Sequence, residues 1–165
     1  MFVLGHLGFG TTIVRPWSDR LSRWALFGGM LLPDVIDKPL YYAHFSDIIS
    51  CTRTFGHTGV LIALVLLVGV LTGRRVLVAL AVGMATHVVL DLVSDLISGD
   101  RASSAWRAAT WPFMGADFTE IDRMSIATHL WHLVNLQVVV AEIFGAALLW
   151  WSVRRTRADG TGSAT

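Results

Sequence analysis

His87 and Asp91 stand four residues apart within an otherwise apolar stretch at residues 76–98. On a helix this spacing sets the imidazole and the carboxylate about 40° apart in azimuth and roughly 6 Å apart along the axis. Groups so placed can bind one metal ion, or the carboxylate can orient the ring. Asp95 extends the same face by another turn. The plainer alternative is a His–Asp hydrogen bond that stitches two helices together. A charged group in a membrane span costs about 2.5–3.5 kcal/mol on insertion scales, so it persists where it is paired, metal-bound or functional.

Four further residues belong to the same chemistry. His57 opens the apolar run before this one, Asp34 and Asp37 follow Pro33, and His6 lies inside the first apolar segment. Singly, His57 and Asp34 read as polar helix caps, and His6 as a satisfied core histidine. Together with His87 and Asp91 they come from different segments, as the ligands of metal sites in helical bundles do. Imidazole and carboxylate without thiolate suit zinc first, with manganese and iron as alternatives. The single cysteine, Cys51, excludes a zinc–thiolate cluster and an internal disulfide.

The elements that must carry these groups are apolar helices. Of the 165 residues, 54% are hydrophobic and 15% charged, against roughly 25% charged in soluble domains; mean hydropathy is +0.60. The net charge of +1 offers no basic patch for nucleic acid. Residues 59–72, extended upstream by 55–57, form one apolar run; 76–98 and 126–152 form two more. Each approaches the ~20 residues that cross a bilayer. Two shorter segments, 1–14 and 24–35, predict an antiparallel pair of short helices that turns at Arg15-Pro16, the second helix ending near Pro33. No basic residue precedes the first run, so a cleaved signal peptide is not expected. The seven tryptophans lie mostly at the ends of apolar runs, where amphipathic rings favour the membrane interface.

The expected fold is therefore all-α: a multi-pass transmembrane helical bundle of three long spans plus the N-terminal pair. Residues 1–153 form one integral membrane domain and 154–165 a disordered cytoplasmic tail. Glycines 28, 29, 56, 69 and 83 are expected to permit close helix packing. With the C-terminus in the cytoplasm, Arg15, Arg20, Arg23, Arg74, Arg75, Arg154, Arg155 and Arg157 fall inside. Lys38, Arg53, Arg101, Arg107 and Arg123 fall outside, eight against five. Asp34, Asp37, His57, His87 and Asp91 then converge on the outer half of the cytoplasmic membrane.

Several of these segments resemble the YdjM-like family of membrane-bound metal-dependent hydrolases. They are Gly5-His6-Leu7, the LLPDVID stretch at 31–37 followed by Lys38-Pro39, RTFGHT at 53–58, GMATHVVLD at 83–91 and Trp111-Pro112-Phe113, in the family's order. The resemblance implies His6, Asp34, His57, His87 and Asp91 as metal ligands, and Asp37 as a further carboxylate. It places Arg53 beside the site, where its guanidinium can hold an anionic group such as phosphate. Thr58 stands where the family often has serine, Thr52 where it has a histidine and Thr54 where it has a glycine; the acidic pair is spaced D-x-x-D instead of D-x-D.

The expected function is a membrane-embedded hydrolase, with Asp37, Arg53 and Asp91 in catalytic roles, acting on a lipid-linked phosphoester at the outer headgroup level. Asp37 or Asp91 would take the proton of the attacking water. The alternatives are a metal transporter and a non-catalytic structural membrane protein. His129 and His132 share a face near the start of the last run and read more simply as interfacial. His44 reads as a headgroup-level ring, and Glu142, deep in the last run, has no assigned role.

Overall fold

A computed structural model describes residues 3–17, 20–42, 53–98, 104–113 and 136–161. Six helices account for nearly all of them: α1 (Val3–Val14), α2 (Arg23–Leu40), α3 (Gly59–Leu71), α4 (Arg75–Ile97), α5 (Ser104–Thr110) and α6 (Leu136–Thr161). Short 3-10 turns cover Arg15–Trp17 and Phe55–His57. No strand occurs among the described residues.

Two helices are long and apolar enough to cross a membrane, Arg75–Ile97 and Leu136–Arg155. At 1.5 Å per residue they measure about 34 and 30 Å. Half of the apolar window in α4 is buried, whereas only 6% of that in α6 is. The apolar run at 59–72 makes a helix of 13 residues, about 20 Å long. It is shorter than the expected span because Thr58 caps it: the Thr58 hydroxyl accepts from the Leu61 amide at 3.2 Å and donates to the Phe55 carbonyl at 2.9 Å. The cap is Thr58 and not His57, whose ring turns inward. Helix α6 begins the described part of the third expected span and runs on past Arg154 and Arg155 to Thr161.

The N-terminal segments depart from the expected hairpin in two ways. First, α2 does not end near Pro33 but continues through Pro33 and Pro39 to Leu40. A proline inside a helix forfeits one hydrogen bond and crowds the carbonyl four residues back, at a cost of about 3 kcal/mol. Pro33 is fully buried, and the turn beyond it carries Asp37, whose carboxylate is held by four hydrogen bonds described below. Those contacts offset the break. Second, α1 and α2 find their main partners elsewhere: α2 packs along α4, and α1 packs along α6.

Glycine decides both pairings, by admitting backbone against backbone. Gly29 of α2 faces Gly83 of α4, and a Cβ on Gly83 would lie 2.9 Å from both the Gly29 Cα and the Met30 nitrogen. On the other side, a Cβ on Gly145 would lie 2.6 Å from the Gly5 Cα. Between these contacts sits a core of Val14, Leu26, Met30 and Ala79. Gly83→Leu is expected to destabilise the protein by about 1–3 kcal/mol, read as a lower thermal midpoint in detergent. Since the Met30 backbone also serves the site, metal affinity should fall with it.

Helix α6 enters α1's first turn with a carboxylate. Glu142 accepts from the amides of Leu4 and Gly5, one oxygen each, both at 2.9 Å. The first amides of a helix have no partner within it and carry partial positive charge, so a carboxylate there serves as cap and counter-charge. This is the role that the sequence left open for Glu142. Glu142→Ala should cost about 1–2 kcal/mol and speed hydrogen exchange at Leu4, Gly5 and His6.

Candidate metal centre

Four chain segments bring seven polar side chains to one place. Asp34 and Asp37 come from the last turns of α2, Arg53 and His57 from the segment leading into α3, His87 and Asp91 from α4, and His6 from α1. His6, Asp37, His57, His87 and Asp91 are each at most 2% exposed.

The imidazoles are fixed from behind. His57 Nδ1 lies 2.7 Å from Asp37 Oδ2, and His87 Nδ1 lies 2.6 Å from the Met30 carbonyl. A carbonyl oxygen can only accept, so the His87 Nδ1 carries the proton; beside the Asp37 carboxylate the His57 Nδ1 does too. Both Nε2 atoms then face the centre, 3.2 Å from each other. That separation can be bridged by one proton, as a hydrogen bond between the rings, or by one cation that both nitrogens hold. Orientation of a ligand ring through its far nitrogen is the usual support of a histidine-bound metal.

Two carboxylate oxygens complete the group. Asp34 Oδ1 lies 3.8 Å from His57 Nε2 and 3.9 Å from His87 Nε2. Asp91 Oδ2 lies 3.6 and 3.7 Å from the same two atoms. A tetrahedral ion with bonds near 2.05 Å would set its ligands about 3.4 Å apart. The five separations of 3.2–3.9 Å each lie within about half an ångström of that spacing. A second, overlapping group is formed by His6, His87 and Asp91. His6 Nε2 lies 3.1 Å from Asp91 Oδ1, and its ring stacks on that of His87 at 3.9 Å and 11°. Each group could hold a metal ion, and they share His87.

Charge points the same way. Asp34, Asp37, Asp91 and Asp95 face Lys38 and Arg53, with Lys38 on Asp34 at 2.6 Å and Arg53 on Asp91 and Asp95 at 2.9 and 2.7 Å. With neutral rings, these described groups leave two negative charges, the complement of one divalent cation. Burial pushes the His57 ring toward neutrality, but the Asp37 and Asp91 carboxylates outweigh it and raise its pKa, so a metal at this ring would compete with a proton. Burial likewise opposes the charge on Arg53, and Asp91 and Asp95 more than restore it.

Asp37 has a different place from the other carboxylates. It accepts from the Thr54 amide at 2.6 Å, the Thr54 hydroxyl at 3.0 Å, the Gly56 amide at 2.8 Å and His57. It anchors the 53–57 segment and orients His57, and its oxygens are spent on that task. Thr54 contributes a hydroxyl that a glycine could not. Gly56 lets this segment lie on α2, since a Cβ there would come within 2.6 Å of the Pro33 carbonyl oxygen.

All the residues singled out as ligands, His6, Asp34, His57, His87 and Asp91, thus fall into one cluster, with Asp37 and Arg53 on its flanks. The Met30 carbonyl was invisible in the sequence, because a backbone acceptor leaves no mark in residue types. Asp95's link to Arg53 was half visible, through its i+4 spacing from Asp91. His44, His129 and His132 lie outside the described residues.

The fold and cluster define a class no finer than this: an all-helical protein, with two helices of membrane-spanning length and a buried His/Asp group fit for a divalent metal. Comparison with known proteins adds no name, since no family model, curated protein or solved structure matches the chain.

Proposed function

We propose that the chain is a multi-pass membrane protein and a metal-dependent hydrolase, its metal held by His57, His87, Asp91 and Asp34. The observation that carries the metal is the convergence of two imidazole Nε2 atoms, 3.2 Å apart, with carboxylate oxygens of Asp34 and Asp91 within 3.9 Å of both. The membrane reading rests on apolar surface: α3 exposes Leu64, Leu67 and Val70, and α6 exposes Val140, Ile143 and Phe144. Water would penalise these faces, whereas acyl chains suit them. At the other end of the bundle, Arg154 and Arg155 stack on Trp150 and Trp151 at 3.9 and 4.3 Å, a pairing suited to the interface.

When bound, a divalent ion supplies Lewis acidity and a water acidified to near neutral pH. The chain's own residues do the rest. Asp37 and the Met30 carbonyl hold the two rings in the tautomer that offers Nε2. Asp34 has the most exposed carboxylate among those facing the centre, and would be the ligand that meets the ion from the more open side. Arg53, held at the rim, binds an anionic oxygen of the substrate. A cavity of about 230 Å³, lined by Phe9, Leu90, Val93, Ile97, Val138 and Ala141 with Ser94 and Gln137, lies between α1, α4 and α6. Its apolar wall fits a hydrocarbon chain, and the substrate class we favour is a lipid-linked phosphoester, with zinc as the ion. The resemblance to YdjM-like hydrolases is consistent with this reading and independent of the geometry.

The test is metal content and turnover of the detergent-purified protein. About one zinc, manganese or iron per chain is expected, with phosphoester hydrolysis that chelation abolishes and the ion restores. Hydrolysis indifferent to chelation, or zinc uptake into proteoliposomes without hydrolysis, would overturn the assignment.

A further inference from the structure

Arg53 occupies an unusual position for a cation beside a cation site. Its Nε donates to Asp91 Oδ2 at 2.9 Å, the oxygen that also faces His57 and His87 at 3.6 and 3.7 Å. Its Nη1 donates to Asp95 Oδ2 at 2.7 Å. Asp91 and Asp95 sit one turn apart on α4, so the planar guanidinium bridges two successive carboxylates of one helix face. A fixed positive charge on Asp91 Oδ2 competes with any metal for that oxygen, and Coulomb repulsion at this range is not screened away in a buried site.

We infer that Asp95 is a positioning residue that holds Arg53 as an exchangeable counter-ion of Asp91. With a metal at His57, His87 and Asp91, the carboxylate of Asp95 carries the guanidinium. Asp91 is thereby freed for the ion, while Arg53 stays at the rim. There its N–H groups can meet an anionic substrate oxygen. Without Asp95 the guanidinium would settle wholly on Asp91 and oppose the metal. The partial exposure of the Arg53 and Asp95 side chains, 20% and 16%, gives the guanidinium room to shift. The inference rests on the metal-centre reading above and adds to it what tunes that site.

The experiment is a zinc affinity measurement by chelator competition on the purified full-length chain, using zinc alone as the probe. The forms compared are wild type, Asp95→Asn, Arg53→Gln, the double variant and Asp95→Glu. Asp95→Asn is expected to weaken zinc binding about tenfold, and Arg53→Gln to tighten it by a similar factor. In the Arg53→Gln background, the Asp95 substitution should lose most of its effect, since Asp95 acts through Arg53. Asp95→Glu should restore affinity to within about twofold of wild type. If Asp95→Asn weakens zinc equally with and without Arg53, Asp95 acts only as a nearby charge, and this inference falls while the metal centre stands. Failure of the folded wild type to bind zinc overturns both.

Discussion

Under the proposed function, His87→Ala is expected to remove the metal and the hydrolytic activity together while leaving a folded protein. His87 is the hinge of the site: its Nε2 faces His57, Asp34 and Asp91, and it belongs to both overlapping ligand groups. Losing a supporting partner of a ligand commonly lowers metal affinity about 10–100-fold, so losing the ligand itself should exceed that range. The structural cost is smaller. The Met30 carbonyl loses its donor and the His6 ring loses its stacking partner, worth about 1–3 kcal/mol together. Elemental analysis, turnover and a thermal melt on one preparation separate the two effects. A variant that melts lower yet keeps metal and activity would reduce His87 to interhelical glue.

Asp37 should give the largest loss of stability. Its carboxylate takes four hydrogen bonds from three residues of the 54–57 segment, Thr54, Gly56 and His57, all buried. Asp37→Ala leaves those donors without an acceptor inside the protein, and a buried unsatisfied donor costs about 1–3 kcal/mol. The costs do not sum fully, because the segment can loosen toward water; a total of about 3–5 kcal/mol is expected. Asp37→Asn is the informative companion. It keeps the shape and one acceptor oxygen but lowers the basicity of His57. Zinc affinity should therefore drop about 10–100-fold with a smaller loss of stability. The pair of melts and zinc titrations tells orientation of His57 from direct ligation: a direct ligand would lose metal equally in both variants.

Much of the site could be read from residue types. A histidine and an aspartate four apart in an apolar run, the acidic pair after Pro33 and the histidine opening the next run all proved to face one another. Ionisable groups in apolar helices are costly enough that few are kept without a partner, so composition alone narrowed the candidates. His6 was the hardest, since a single histidine near the chain's start has no periodicity to place it, and its partner Asp91 is distant in sequence.

What residue spacing determined was the helical class, the apolar runs and the face shared by His87, Asp91 and Asp95, because period and burial are properties of one helix at a time. Which helix meets which was settled by tertiary packing. Gly29 against Gly83 and Gly5 against Gly145 admit backbones to contact, and no local signal ranks one such pairing over another. The passage of α2 through Pro33 follows the same logic. Proline's local preference ends a helix, but the four bonds to Asp37 one turn later exist only if the helix goes on. Roles filled by backbone atoms, the Met30 carbonyl for His87 and the Leu4 and Gly5 amides for Glu142, could come only from the folded chain, since every residue carries those groups and only geometry selects among them.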